Sequence, residues 1–150
     1  MTIREYSSDD CAELMRLFRE TVLVVGLRDY APEQTKAWAA GASDPERWDR
    51  AFLQSFTLIA EIGGEIVGFG NIDQAGYLDM LYVHKDHQRE GIASAICDRL
   101  EQTAGGEITV HASITARGFF EKRGYAVVNE QQVVRRGVAL TNFVMKKRHG

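Results

Sequence analysis

The first third of the chain has the apolar spacing of helices. After an extended segment from Thr2 to Tyr6, capping residues precede apolar side chains that recur every three or four positions, which predicts a helix from about Ser8 to Val25. Pro32-Glu33 and Pro45-Glu46 each have the form of a first helical turn. Two short helices are therefore predicted before the sheet begins.

From Thr57 onward the apolar period shortens to that of β-strands. The runs TLIAEI and EIVGFGNI flank Gly63-Gly64 and predict a hairpin with a two-residue turn. Further strands are predicted for GYLDMLYVH, EITVHA, YAVVNEQQVV and VALTNFVMKK, with one helix running on to Thr103 and another from about Thr115 to Arg123. This order predicts an α+β fold with a mostly antiparallel central sheet and helices on both faces.

Length and composition restrict the class of protein. With 150 residues, 45% of them hydrophobic and 26% charged, the chain has the size and composition of a single globular domain, predicted here for residues 1–150. No apolar run reaches the roughly 18 residues of a membrane span, and the N-terminus lacks a signal-peptide pattern. We therefore expect a cytoplasmic protein with no membrane partner.

Charge and cysteine content argue against two further classes of function. A net charge of -3 is not typical of a nucleic-acid binder, so no nucleic-acid partner is expected. Cys11 and Cys97 have no second Cys or His at metal-ligand spacing, and His84 and His87 lie three apart without a third ligand. The sequence therefore predicts no metal site.

The candidate chemistry lies where a predicted strand ends in the polar turn HKDHQREG and a helix follows. The first turn of a helix has unpaired N–H groups and a positive dipole end, and the small residues Gly91, Ala93 and Ser94 let a phosphate approach them. Gln88 and Arg89 are expected to add an amide and a cation there. The patterns of nucleoside triphosphate and nicotinamide dinucleotide loops are absent, so another phosphate-bearing cofactor is predicted. An isolated glycine at such a junction is, however, more commonly only a tight turn.

Two motifs resemble those of the GCN5-related N-acetyltransferases, the GNAT family. The run from Gln88 to Ala93 is similar to the signature Q/R-x-x-G-x-G/A, whose loop holds the pyrophosphate of acetyl-CoA, and Leu81 to His84 resembles the fourth strand beside the pantetheine arm. Ser113 to Tyr125 resembles the later pattern N-x-x-A-x-x-F-Y-E-K-x-G-F. The resemblance covers essentially the whole chain. It implies a GNAT-like mixed sheet, acetyl-CoA as co-substrate, and direct acetyl transfer to an amine of a small molecule or peptide in a ternary complex.

The resemblance also implies the cofactor-binding residues, which come from the strand, the loop and the later motif. They are Leu81, Tyr82, Val83, Gln88, Arg89, Glu90, Gly91, Ile92, Ala93, Ser94, Ser113, Phe119 and Phe120. Two positions depart from the family pattern, since Ser113 replaces an asparagine and Phe120 replaces the tyrosine often assigned as general acid. These departures motivate an alternative, a non-catalytic acyl-CoA-binding sensor or scaffold module.

Acetyl transfer to an amine needs a base, a donor to the developing oxyanion and a proton for the departing thiolate. The resemblance places the oxyanion donor at a backbone N–H near Leu81. Asp79 is the favoured base, because strand alternation predicts it on the same face as Leu81, and Glu61 is the second candidate. A rim carboxylate without a catalytic role is an equally weighted interpretation of Asp79.

The proton donor is left open among three tyrosines and solvent. Tyr82 and Tyr125 lie near the motifs, and Tyr77 is a weaker candidate. Alternation predicts that only one of Leu81 and Tyr82 faces the thioester. Solvent is the fourth source, because a thiol pKa near 8.5 makes the thiolate a good leaving group.

The acceptor pocket is expected from the first helix and the two short helices after it, because the cofactor motifs use the later strands. Arg28, Tyr30 and Trp38 are the candidate substrate-binding residues, and Gln34 and Trp48 are also of interest. Helix-spaced aromatic residues are more often core than ligand contacts. A homodimer is expected only because dimers are common among soluble proteins.

Overall fold

A seven-stranded sheet lies at the centre of the computed structural model, which describes residues 1–148. The strands are β1 (Thr2–Glu5), β2 (Phe56–Ile62), β3 (Glu65–Ile72), β4 (Tyr77–Val83), β5 (Glu107–Ser113), β6 (Ala126–Arg135) and β7 (Val138–Arg148). Their spatial order is β1-β2-β3-β4-β5-β7-β6, and all neighbours are antiparallel except β4 and β5, which are parallel. The predicted mixed, mostly antiparallel sheet is confirmed.

Helices cover both faces of this sheet, as the sequence predicts. Within residues 1–148 they are α1 (Cys11–Val25), α2 (Pro32–Ala39), α3 (Pro45–Gln54), α4 (Ile92–Thr103) and α5 (Ile114–Lys122). The neighbours Leu58 and Ile59 of β2 are fully buried in different clusters, Leu58 with α4 and Ile59 with α1 and α3. Because successive strand residues point to opposite faces, the sheet separates two hydrophobic cores.

Helix α4 lies unusually close to β3 because β3 contains glycines beneath it. A Cβ atom at Gly68 would lie 2.9 Å from the Ile92 Cγ2 atom, and one at Gly70 would lie 3.1 Å from Ile96 Cγ2. Side chains at either position would push the helix outward. The two glycines therefore help to set the position of the first turn of α4 beside the end of β4.

The register between β3 and β4 shifts by one residue in the middle of β4. Asn71 pairs with Met80 and Ile72 pairs with Leu78, so Asp79 is an extra residue that has no partner in β3. The Asn71 side-chain oxygen accepts a 3.0 Å hydrogen bond from the Met80 N–H and stabilises the irregularity. This β-bulge changes which residues of β4 share a face.

On its other side, β4 separates from β5. The two strands pair only through Tyr77 with Thr109 and Leu78 with Val110. Beyond Leu78 the strands diverge and open a cleft in the middle of the sheet. The peptide groups of β4 that point toward β5 beyond Leu78 are therefore free of strand partners within the described chain.

Candidate active site

Two cavities meet at the cleft between β4 and β5. The first, of about 470 Å³, lies between the end of β4, α1, the loop before α4 and α5, and is called the loop cavity. The second, of about 580 Å³, lies between α2, α3, β4, β5 and the β6–β7 hairpin, and is called the hairpin cavity. Trp38, Tyr82 and Ser113 line both cavities. These three residues mark the point at which molecules in the two cavities come together.

The first turn of α4 forms one end of the loop cavity. Gly91 precedes the helix with φ of 82°, a left-handed conformation that favours glycine, and a Cβ atom there would meet nothing within 4 Å. The Ala95 N–H makes a 3.1 Å hydrogen bond to the Gly91 carbonyl. The N–H groups of residues 92–94 precede this bond and have no helical partner. Open space and unpaired donors suit this end for a phosphate group.

Twelve of the thirteen predicted cofactor residues line the loop cavity, and Glu90 is the exception. Glu90 is exposed and its carboxylate lies 3.0 Å from Nδ1 of His87. Gln88 lines the cavity, but its side-chain amide donates to the carbonyl oxygens of Val83, at 2.7 Å, and His84, at 3.2 Å. The expectation that this amide donates at the mouth is therefore wrong, because both of its hydrogens stabilise the turn.

Backbone donors of β4 face the cleft. The His84 N–H donates to the Val67 carbonyl at 2.8 Å, so alternation in the antiparallel pair makes Tyr82 the next hydrogen-bonded position. The N–H of Leu81, between them, then points away from β3 toward the diverging β5. This places an unpaired donor in the wall of the loop cavity, where the resemblance expected one.

Leu81 and Tyr82 both line the loop cavity. Leu81 packs with the core beneath α4, whereas Tyr82 packs with the core beneath α1 and α3. Alternation across β4 is therefore present at these positions. Both side chains reach the cavity because the cleft passes through the sheet, so that residues of either face lie at its edge.

Asp79 lies in the hairpin cavity with Met80 and Tyr82. The expectation that Asp79 shares the face of Leu81 is wrong, because the bulge at Asp79 interrupts the alternation. Solvent reaches the Asp79 side chain through the cavity, but burial still raises its pKa above the ordinary value, and the negative charge of Asp73 raises it further. A carboxylate of raised pKa at this position suits a general base.

Tyr82 is the tyrosine, among those in residues 1–148, that lines both cavities. Its ring packs edge-on against Phe18 at a centroid distance of 4.9 Å. Burial raises the pKa of Tyr82, and the charge of Asp79 raises it further, so the hydroxyl keeps its proton at neutral pH. The other two candidates lie elsewhere, since Tyr77 lines only the hairpin cavity and the Tyr125 hydroxyl donates to Glu101 at 2.8 Å.

Glu61, the second candidate base, lines neither cavity. It forms an ion pair with Arg4, and Arg4 also pairs with Asp10 at 2.9 Å. These contacts hold β1 against β2 and the start of α1. The structure therefore removes Glu61 as a candidate base.

The predicted substrate residues occupy different cavities. Tyr30 lines the hairpin cavity, Trp38 lines both, and Arg28 lines only the loop cavity, because α1 continues into a 3₁₀ turn, Gly26–Arg28, beside it. Arg28 therefore does not share a cavity with Tyr30, and only Trp38 connects the two. Of the two further residues of interest, Trp48 lines the hairpin cavity and Gln34 lines neither.

The sequence analysis missed much of the hairpin cavity. The sequence predicted a pocket formed by the first helices, but strand residues form much of the cavity wall. They are Tyr77, His111, Val133, Arg135, Thr141 and Asn142. Two polar atoms in the cavities are buried without a hydrogen-bond partner, Oδ1 of Asn142 in the hairpin cavity and Oγ1 of Thr115 in the loop cavity. No spacing signal in the sequence links these positions, because they come together only through strand pairing.

Two features, a metal-binding group and a membrane-spanning helix, are absent from the described residues. Residues 1–148 contain no group of three or more His, Cys, Asp or Glu side chains arranged to hold a metal ion. Over the same part of the chain, no helix has the length and apolar character that crossing a membrane requires.

Comparisons with known proteins identify the family. The model of the acetyltransferase (GNAT) domain matches residues 26–147. The uncharacterised N-acetyltransferase YafP of Escherichia coli (strain K12) is 38% identical over 145 residues, which are 96% of this chain and 93% of that protein. The structure of a GCN5-related N-acetyltransferase from Rhodopseudomonas palustris superposes with a TM-score of 0.94 at 34% identity, covering 98% of this chain and 94% of that one.

A more distant structure has the same fold. The PaiA N-acetyltransferase of Thermoplasma acidophilum, solved in complex with coenzyme A, has a TM-score of 0.78 at 17% identity, with 98% of each chain covered. Together with the family model and the closer relatives, this confirms the GNAT-like fold implied by the two sequence motifs. The chain belongs to the GNAT family of acetyltransferases.

Proposed function

We propose that the loop cavity binds acetyl-CoA, that the hairpin cavity binds the acceptor, and that the acetyl group passes between them beside Tyr82. As a GNAT acetyltransferase, the chain uses acetyl-CoA as co-substrate and an amine as acceptor. The observation that carries the assignment is the meeting of the two cavities at Trp38, Tyr82 and Ser113. Such a meeting favours direct attack with both substrates bound.

Binding of the cofactor begins at the loop before α4. The pyrophosphate lies against the free N–H groups at residues 92–94, with Ser94 and Arg89 at the same end of the loop cavity. The pantetheine arm then follows β4 toward Tyr82. Binding energy from the phosphates, far from the reacting carbon, holds the thioester at the cleft.

Chemistry starts when the acceptor amine gives up a proton. A lysine-like amine with a pKa of about 10.4 is mostly charged at neutral pH, so a base is needed. Asp79 takes that proton, directly or through water. The free amine nitrogen then attacks the thioester carbonyl carbon, and the N–H of Leu81 donates to the oxygen that becomes negative.

Collapse of the tetrahedral intermediate breaks the carbon–sulfur bond and forms the amide. The thiolate of coenzyme A takes a proton from Tyr82, whose pKa is raised by burial and by Asp79. The nitrogen loses two protons overall, because Asp79 passes the first to solvent and then takes the second from the nitrogen of the intermediate. One of these protons returns through solvent to Tyr82, and the other is released. Phe120 therefore does not prevent catalysis, since Tyr82 lies at the edge of the loop cavity.

The non-catalytic alternative rests on Phe120 and Ser113 alone. Ser113 lines both cavities, and its Oγ accepts the Ala116 N–H at 3.0 Å, so it caps α5. A proton donor at the meeting of the cavities and a carboxylate in the hairpin cavity favour catalysis over passive binding. We further propose that residues 1–150 form one domain and that the protein is cytoplasmic. We also propose a homodimer, which sedimentation would test.

Thiol release tests the proposed function. Acetyl-CoA and the protein are incubated with a panel of amines, and free coenzyme A is measured against controls that lack either protein or amine. Amine-dependent release is expected, with the acetylated amine found by mass spectrometry. Binding of coenzyme A by calorimetry without release for any amine would favour the non-catalytic module. Absence of binding at millimolar coenzyme A would reject both the acetyltransferase and the non-catalytic module.

A further inference from the structure

Two arginines line the hairpin cavity although the chain is acidic overall. Arg47 of α3 and Arg135 at the end of β6 both line it and are both exposed, whereas Asp79 is the carboxylate among the lining residues. Within residues 1–148, neither arginine forms an ion pair. Two unpaired cations on separate elements, in a chain with a net charge of -3, suit an anionic group on the ligand.

The same cavity also holds groups that accept hydrogen bonds. Within residues 1–148, the Asn142 Oδ1 atom is buried without a hydrogen-bond partner, and Asp79 lies at the bulge of β4. A buried acceptor without a donor costs free energy unless a ligand or water supplies one. The N–H groups of an amine supply such donors, so Asn142 and Asp79 suit the amine group of the acceptor.

The walls of this cavity are largely aromatic. Tyr30, Trp38, Trp48 and Tyr77 line the cavity, and the Tyr30 and Trp38 rings contact edge-on at a centroid distance of 5.5 Å. Aromatic walls bind an apolar body and exclude water from charged groups. The cavity therefore offers cations for an anion, acceptors for an amine and apolar walls for the body that joins them.

The β6–β7 hairpin closes one side of the cavity against α2 and the loop that follows it. The Tyr30 hydroxyl donates to the Thr141 carbonyl at 2.6 Å, and the Gln34 amide donates to the Ala139 carbonyl at 3.0 Å. At the hairpin turn, Arg136 donates to the Ala40 carbonyl at 3.0 Å. Three hydrogen bonds therefore hold the hairpin in place on this side, and a cavity of about 580 Å³ suits a small acceptor.

We propose that the acceptor is a small amine that also carries an anionic group, such as a carboxylate, with its amine beside Asp79 and its anion at Arg47 and Arg135. The inference rests on the proposed function, since it assigns the hairpin cavity to the acceptor. It adds that the acceptor is small, that it carries an anionic group, and that its amine lies at Asp79. An amine without the anionic group leaves both arginines unpaired and should be a poorer substrate.

Matched amine pairs test this inference. 6-Aminohexanoate is compared with hexylamine, and para-(aminomethyl)benzoate with para-methylbenzylamine, by kcat/KM for coenzyme A release, corrected for the free-amine fraction. The acidic member of each pair should be favoured by about tenfold at low salt, because two exposed charge contacts contribute roughly that factor. A tripeptide with amino-terminal 6-aminohexanoate should be a poorer substrate than 6-aminohexanoate itself.

Two variants assign the preference to the arginines. The double variant Arg47→Gln, Arg135→Gln should bring the acidic-to-neutral ratio close to one. Arg50→Gln is the matched control, because Arg50 is an exposed residue of α3 that lines neither cavity. It should keep the wild-type ratio. A wild-type ratio of one or less, a double variant with the wild-type ratio, or a preferred tripeptide would overturn the inference.

A binding measurement separates this inference from the proposed function. Each amine is titrated by calorimetry into the protein saturated with coenzyme A, which does not require turnover. Tighter binding of the acidic members with no thiol release would support the anionic acceptor site and contradict catalysis. Thiol release without a preference for the acidic members would support catalysis and contradict the anionic acceptor site. Binding of neither member at millimolar concentration contradicts the inference.

Discussion

Asp79 and Tyr82 lie on the wall of the same cavity although they are three positions apart in a strand. In a regular strand, residues three apart point to opposite faces. The bulge at Asp79 removes that opposition, so both side chains line the hairpin cavity. Each also affects the other electrostatically, since the charge of Asp79 raises the pKa of Tyr82.

Replacing Gly91 by asparagine should weaken coenzyme A binding by about tenfold or more. Asparagine adopts left-handed backbone angles better than other non-glycine residues, so the fold survives while its side chain obstructs the phosphate. Gly64→Asn is the matched control, because Gly64 also has a φ of 82° and open space, but lies in the β2–β3 turn. Calorimetry with coenzyme A should show weaker binding for Gly91→Asn alone, and equal affinities would reject the loop as the phosphate site.

Tyr82→Phe should lower kcat by about tenfold or more with little change in coenzyme A affinity. Phenylalanine keeps the edge-on packing against Phe18 but removes the proton donor. Solvent limits the loss, because a thiolate of pKa near 8.5 leaves readily. Tyr125→Phe removes a structural hydrogen bond to Glu101 instead and should mainly lower the melting temperature. A Tyr82→Phe enzyme with the wild-type kcat would contradict the assigned role.

Removing the charge of Asp79 should stabilise the protein at neutral pH. The pKa of Asp79 is raised in the folded state, so the folded protein binds this proton more tightly than the unfolded chain does. The favourable contribution is present below the unfolded pKa, near 3.9, and is lost as pH rises through the folded pKa. Thermal unfolding should therefore show Asp79→Asn gaining stability relative to wild type as pH rises from acid to neutral. A difference independent of pH would show that Asp79 is not perturbed.

Glu101 should show the opposite pH dependence. It is 5% exposed and accepts hydrogen bonds from Arg123, Lys147 and Tyr125. Burial alone would raise the pKa of Glu101, but these hydrogen bonds outweigh burial and lower it. Its contribution to stability is therefore present at neutral pH and is lost as pH falls through the folded pKa.

Glu101→Gln should cost about 3 kcal/mol or more at neutral pH, because it leaves two cations without their buried partner. Glu13→Gln is the control, since Glu13 forms an exposed ion pair with Arg16 within one helix. That change should cost about 0.5 kcal/mol or less. Urea unfolding of both variants gives the comparison, and equal losses would contradict a structural role for the Glu101 cluster.

The helices and strands were predicted well from the sequence because apolar residues recur with clearly different periods in the two. The spacing of Leu14, Leu17 and Phe18 belongs to a helix, and the alternation around Gly63-Gly64 belongs to a hairpin, and both are confirmed. The loop before α4 was predicted from local chemistry, since small residues and helix N–H groups are adjacent in the chain. Local patterns therefore predicted the fold and the end of the loop cavity that suits a phosphate.

The site residues that prediction misplaced depend on contacts between distant segments. One extra residue at Asp79 has no signature in the run LDMLYV, yet it changes the face on which Asp79 lies. Arg135 and Asn142 join the hairpin cavity only after β6 and β7 pair and α2 packs against the hairpin. The hydrogen bonds of the Gln88 amide were also not predictable, because the amide donates to backbone carbonyls, which every residue has.

The role of Asp79 as the base is tested by the pH dependence of kcat/KM for thiol release in the wild type and two variants. The wild-type profile should lose activity toward acid pH as Asp79, with its raised pKa, becomes protonated. Asp79→Asn should lower the rate by about a hundredfold and lose that inflection. Asp73→Asn should keep the turn, in which the Asp73 Oδ1 accepts from Ala75 and Tyr77, and shift the inflection to lower pH by removing a negative charge. An Asp79→Asn enzyme with the wild-type rate and profile would contradict the account.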